Sequence, residues 1–187
     1  MKSYWVLPNK KIVEKGEVTR AFLNLGVHDI HSAGEYVSKL PYGRTSEKTN
    51  YMLVLSEGRG TCGTKHALIA ALALELTIDI QLTLGIYLMS ETNTPGIGKF
   101  LAGSGFDSLP EAHCYLKYRD KRIDLTGLST SDNGQIDEFL HEEAIALFQI
   151  GDYKKTIHQN FIRQRVSDNR FEEIWSLREA YIESLNT

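Results

Sequence analysis

The stretch Gly60-Thr61-Cys62-Gly63-Thr64-Lys65-His66, running on into Ala67-Leu68-Ile69-Ala70-Ala71-Leu72-Ala73-Leu74, decides how this chain is read. After Thr64 it is apolar on nearly every face. A helix with no polar face is packed on several sides, so residues 62–76 are predicted to form the central helix of the fold. Cys62 opens that helix. There, unpaired N–H groups and the positive end of the helix dipole favour an anion, and the thiolate is the nucleophilic form of cysteine. Gly60 and Gly63 flank it, and small neighbours let another backbone come close.

Downstream, residues 78–89 alternate in part (Ile80, Leu82, Leu84, Ile86, Leu88) and read as a strand. Residues 90–110 hold Thr94-Pro95-Gly96-Ile97-Gly98 and Gly103-Ser104-Gly105. Loops of that length inside a domain are often functional, so this one is read as a wall or lid of a cleft. Residues 112–118 and 121–125 read as a hairpin turning near Arg119-Asp120. His113 stands at its start. Asp124 lies inside Ile123-Asp124-Leu125, where aspartate is unusual and a buried carboxylate needs a partner. Cys62, His113 and Asp124 thus stand in chain order as nucleophile, base and orienter of the imidazole. In a plain hairpin Asp124 lies across from Tyr115, about 7 Å along the strand from His113. A bulge or strong twist then has to close the gap. Side chains alternate along a strand, so Cys114 is read as core, facing away from His113. His66, one helical turn deeper than Cys62, is read as a packing or supporting residue.

Upstream, Phe22, Leu23 and Leu25 fit one short helix. Ile30, Ala33, Tyr36, Val37 and Leu40 fit another, with Asp29 as N-cap and Pro41-Tyr42-Gly43-Arg44 as its stop. Residues 1–16 read as an arm or short strand. In the tail from Asp137 onward, residues 142–149 are helix or strand, 156–166 are helix, and 171–185 form a final amphipathic helix. That helix either completes the core or forms an interface. No repeat or linker divides the chain, so one α+β domain over residues 1–187, with its core at about 50–127, is expected.

Composition narrows the function classes. Of 187 residues, 42% are apolar and 24% charged, ordinary values for a globular protein. A net charge of −3 without a basic stripe argues against nucleic acid as a partner. No apolar run reaches the ~20 residues of a membrane helix. Two cysteines make neither a disulfide framework nor a CxxC pair. Met1-Lys2-Ser3-Tyr4-Trp5 lacks a signal-peptide core, and a reducing cytoplasm is the expected compartment. No cofactor motif is present, and His28 with His31 lacks the further ligands of a metal site, so neither cofactor nor metal is expected.

Together these blocks resemble the transglutaminase-like superfamily of cysteine enzymes, which share a papain-like core. The matching pattern is Gly60-Thr61-Cys62 opening an apolar helix, a strand at 81–87, His113 opening a later strand, and Asp124 in Ile123-Asp124-Leu125-Thr126. It covers roughly residues 50–127. Where the family often has His-x-Trp or His-Ala-Trp, this chain has His113-Cys114-Tyr115. The resemblance implies a central helix carrying Cys62 at its N-terminus, packed on a small antiparallel sheet, with extra helices at both ends of the chain. It also implies a Cys62–His113–Asp124 triad that transfers acyl groups from a peptide or amide substrate through a thioester, without a cofactor. A side chain completing the oxyanion hole is sought upstream, and Asn50, Tyr51 and Tyr42 are the candidates by position.

Two other readings stand beside it. The same fold without activity would bind a peptide or protein partner in its cleft. A redox pair of Cys62 with Cys114 needs Cα atoms within about 7 Å, and strand alternation argues against it.

Overall fold

The computed structural model describes residues 3–127, 136 and 138–185. Met1, Lys2 and Asp137, used above to read the N-terminal stretch and the tail, lie outside the described residues.

Helices α1 (Glu17–Asn24), α2 (Ile30–Lys39), α3 (Leu53–Glu57) and α4 (Cys62–Glu75) come first, followed by strand β1 (Gln81–Met89). A short helix α5 (Gly98–Leu101) leads to β2 (Leu109–Tyr118), β3 (Lys121–Ile123) and β4 (His141–Ala144). Helices α6 (Asp152–Arg163) and α7 (Asp168–Ser184) close the chain. The four strands form one antiparallel sheet in the order β3-β2-β1-β4, so the fold is mixed α+β. Among the described residues no helix is long and apolar enough to cross a membrane.

Helix α4 is the axis of the core. Alanine and leucine, the best helix formers, fill its middle, and every residue from Cys62 to Ala73 is buried. The Thr64 hydroxyl accepts the Thr61 N–H at 2.9 Å, one arm of a capping box at the helix start. Truncating a core leucine such as Leu72 to alanine is expected to cost about 2–5 kcal/mol.

Alternation along the strands decides what each sheet face meets. Leu82, Leu84, Ile86, Ala112, Cys114 and Leu116 pack with α4 and with Phe22 and Ile30 from the first two helices. Tyr87, Met89 and Leu109 lie in a second cluster with Phe171, Ile174, Tyr181 and Ile182 of α7. The last helix therefore completes the core. Gly85 serves the same face. A Cβ there would stand 2.3 Å from the Phe139 ring, so only glycine lets that ring lie across the sheet.

Asp29 caps α2 as expected, accepting the Ser32 N–H at 2.8 Å. The N-terminal arm is a 3-10 turn (Ser3–Val6) and a single bridge between Lys11 and Asp29. The segment read as helix or strand is β4 followed by a 3-10 turn, Leu147–Ile150. The glycine-rich loop after β1 carries α5. Its Ile97 and Leu101 are buried in the cluster under α7, and Glu91 accepts the N–H groups of Gly96 and Gly98. These two side chains anchor the segment to the second core.

Candidate active site

Cys62 is the first residue of α4, and its N–H has no intrahelical acceptor. The turn before it is held by a second strand of chain. Gly60 N–H donates to the Pro41 carbonyl at 3.2 Å, and Gly43 N–H donates to the Gly60 carbonyl at 3.3 Å. A Cβ at Gly60 would meet Val54 at 2.9 Å and Lys65 at 3.0 Å, so a side chain would push this crossing apart. The crossing bridges Tyr42 to Gly60, two residues before the cysteine.

His113 and Asp124 come together. His113 Nε2 donates to Asp124 Oδ2 at 2.7 Å. By register Asp124 would face Tyr115, since Ile123 pairs with Leu116. The gap is closed because β3 stops at Ile123 and the chain turns. Asp124 Oδ1 there accepts the Thr126 N–H at 2.8 Å and the Thr126 hydroxyl, and the Ser3 hydroxyl donates to the Asp124 carbonyl. The His113 ring is boxed by Tyr115, stacked at 6.3 Å, and by Tyr87 and His66 edge-on at 6.2 and 6.1 Å.

His66 holds this turn against the helix. The Leu125 N–H donates to His66 Nε2 at 2.7 Å, so Nε2 is the acceptor nitrogen. Nδ1 then carries the proton and donates to the Cys62 carbonyl at 2.7 Å. Both nitrogens are committed. Burial lowers the His66 pKa and keeps the ring neutral. Lys65 makes a parallel tie, its Nζ donating to the Leu40 carbonyl at 2.6 Å and the Thr126 carbonyl at 2.8 Å. Burial lowers its pKa to about 8.

The sulfur itself sits among four polar groups. Lys154 Nζ, from α6, donates to Cys62 Sγ at 3.2 Å. The neighbouring Cys114 thiol does most to hold the Cys62 pKa well below the ordinary thiol value. Burial works against this, and Lys154 and His113 add to it. The nearness of Cys62, with burial, raises Cys114. Burial opposes charge on His113, but Asp124 and Cys62 outweigh it and lift its pKa to about 10. Enclosure also opposes ionisation of Asp124. His113, His66 and Thr126 nonetheless hold it below the usual carboxylate range. Its side chain stays 47% exposed, so water screens part of that attraction. The fourth group is Tyr42, whose hydroxyl is kept protonated by burial and by the nearby Cys62 and Glu111.

Cys114 belongs to the core as read, and its neighbours there include Cys62. Cys114 is buried as expected. Ala112, Cys114 and Leu116 share the sheet face that packs on α4, the helix that Cys62 opens.

The upstream candidates separate. Tyr42 lies at the site. Asn50 Oδ1 accepts the Met52 N–H at 3.1 Å and caps the turn into α3. Tyr51 faces Glu17 and Glu75, which with burial raise its pKa. Glu75 ends α4, about 20 Å of helical rise from Cys62. Tyr51 is therefore held toward the far end of α4, and Asn50 is engaged in the turn.

Lys154 was not found from sequence, because Lys154-Lys155 has the pattern of any polar helix face. The pair Glu111–Arg178 was missed for the same reason. Arg178 Nε and Nη2 donate to the two Glu111 oxygens at 2.6 and 2.7 Å, both side chains buried. Above the helix start lies a cleft of about 250 Å³, lined among others by Arg44, Thr61, Thr64, Lys154, Trp175 and Arg178. Among the described residues, no group of three or more histidine, cysteine, aspartate or glutamate side chains is placed to hold a metal ion.

No family model, no curated protein and no solved structure matches this chain.

Proposed function

We propose that the chain is a cysteine-dependent acyl-transfer enzyme, a hydrolase or transamidase acting on a peptide or amide, with a transglutaminase-like core. One observation carries this reading. His113 Nε2 is bound to Asp124 at 2.7 Å, which leaves Nδ1 for the sulfur of a cysteine at a helix start. The order central helix, strand, strand with histidine, aspartate after the next strand supports the core assignment.

The chemistry follows from the groups present. Cys62 as thiolate attacks the amide carbonyl. The charge developing on the carbonyl oxygen meets the Cys62 N–H and the Tyr42 hydroxyl. Losing one such donor typically costs about 3–4 kcal/mol of transition-state stabilisation. The leaving amine takes the Nδ1 proton of His113, and a thioester forms. Water or an acceptor amine, deprotonated by His113, then releases the acyl group. Asp124 holds the ring and balances its charge throughout. Hydrolysis is favoured over regulated crosslinking, since the sequence carries no calcium-like acidic loop.

A second reading has its own observation. Cys62 is only 4% exposed, with Lys154 directly on its sulfur. A thiol so covered suits a domain that binds a peptide or protein in its cleft without reacting. The pH dependence of Cys62 alkylation by iodoacetamide, read at the Cys62 peptide by mass spectrometry, decides between them. A reactivity pKa well below the ordinary ~8.5 that rises in His113→Ala supports the enzyme. An ordinary, His113-independent thiol removes it.

A further inference from the structure

We infer that the acyl donor carries a carboxylate close to its scissile bond, bound in the cleft that α6 and α7 form over the helix start. The inference rests on the acyl-transfer reading and begins from the 3.2 Å contact between Lys154 Nζ and Cys62 Sγ. In the resting protein the thiolate balances the ammonium. When the sulfur attacks, an S–C bond forms, the C–N bond breaks, and the amine leaves with the His113 proton. The thioester sulfur is neutral. Lys154 is then half-buried with its anion gone. Glu111 also acts on Lys154, but two hydrogen bonds already commit it to Arg178. An enclosed charge left unpaired is costly. A carboxylate on the acyl group, lying against Lys154, restores the balance at the step that removes it.

The rest of the cleft agrees. Arg44 is held by Glu179 and Glu183, and Arg178 by Glu111. Lys48 and Lys155 also line the cleft, and neither has an ion-pair partner among the described residues. Asp152, the first residue of α6, is also in the lining. The cleft thus presents an ammonium at its inner end and spare cations along its wall. The carboxylate can come from an acidic side chain or from a peptide C-terminus.

The test uses the full chain. Cys62 is alkylated at neutral pH with iodoacetate and with iodoacetamide, its adduct quantified by peptide mass spectrometry, with glutathione as the free-thiol reference. Iodoacetate carries a carboxylate next to the reacting carbon. Its rate relative to iodoacetamide is expected to exceed the glutathione ratio by about two- to fivefold. That preference should fall in the Lys48→Gln/Lys155→Gln variant and in about 1 M salt. A ratio at or below that of glutathione overturns the inference, whatever the pH profile of Cys62. A clear preference on a thiol whose pH profile ignores His113 instead removes the acyl-transfer reading and keeps the cleft as a carboxylate site. Protection of Cys62 by N-acetylglycine and by N-acetylglutamate amide separates terminal from side-chain carboxylates. Neutral N-acetylglycine amide should protect less than the better acid, and equal protection by all three overturns the inference.

Discussion

At its C-terminal end helix α4 finishes in Glu75, whose carboxylate accepts the N–H groups of Val18 and Thr19 at 2.9 and 2.8 Å. Beside it, Lys10 Nζ caps the Leu76 carbonyl at 2.6 Å. At its N-terminal end the same helix begins in Cys62, where Lys154 meets the sulfur and His113 meets Asp124, side chain to side chain. Both ends obey the helix dipole, with carboxylate or thiolate at a helix start and lysine at a helix finish. They differ in what the charges touch. A backbone amide keeps its charge at any ordinary pH, whereas thiol, imidazole and carboxylate exchange protons. One end of the helix is fastened, and the other can move a proton between neighbours.

The comparison breaks most visibly at His113. His113→Ala should lower any acyl-transfer rate by about 10²–10⁴-fold and raise the reactivity pKa of Cys62, read from pH–rate profiles. Next in size is Glu111→Gln, which leaves the Arg178 guanidinium enclosed without its carboxylate. Breaking such a buried pair costs about 3–5 kcal/mol, measurable by urea unfolding. A loss no larger than that of a surface pair would show that solvent reaches this site.

The pH dependence of stability tests the ties between the ends. His113 is lifted to about 10, so its contribution is complete below its ordinary value of 6.5 and is lost as pH rises through 10. Lys65, lowered from 10.5 to about 8, runs the opposite way. Its cost is complete below pH 8 and fades toward 10.5. The stability difference between wild type and Lys65→Met should therefore grow by on the order of 1–3 kcal/mol across that window. A flat difference would mean that the Lys65 amine is not held below its ordinary value. The smallest effect belongs to the fastened end. Glu75→Ala removes the cap of α1 and should cost about 0.5–2 kcal/mol, with the Cys62 pH–rate profile unmoved. A shift in that profile would couple the two ends and end the distinction drawn between them.

Which parts of the site were legible follows the same division between local and distant causes. Cys62 could be read because Gly60-Thr61 before it and the apolar run after it are neighbours in sequence. His113 and Asp124 stood out as polar residues inside apolar runs. The Asp29 cap was legible for the same local reason. Lys154 and Arg178 carry no such mark, since each is one cation among several on its helix, and only packing selects it. Strand alternation placed Cys114 in the core, and what it left out is that the same face carries Cys62. In the glycine-rich loop, glycine content hid the packing of Ile97 and Leu101 under α7. Asn50 and Tyr51 were chosen by position alone; a local hydrogen bond engages Asn50 in its turn, and Tyr51 faces the carboxylates at the far end of α4.

The contacts that complete the site join residues far apart along the chain. Lys154 lies 92 residues beyond Cys62, Leu125 lies 59 beyond His66, and Asp124 lies 121 beyond Ser3. Closing loops of that length costs entropy before any contact returns it. Helix α4 needs only its own neighbours in sequence and can form early. During folding the cysteine therefore exists first as an ordinary thiol on a helix. Lys154, which helps to hold the Cys62 pKa down, reaches the sulfur only when α6 docks, and the same docking covers it.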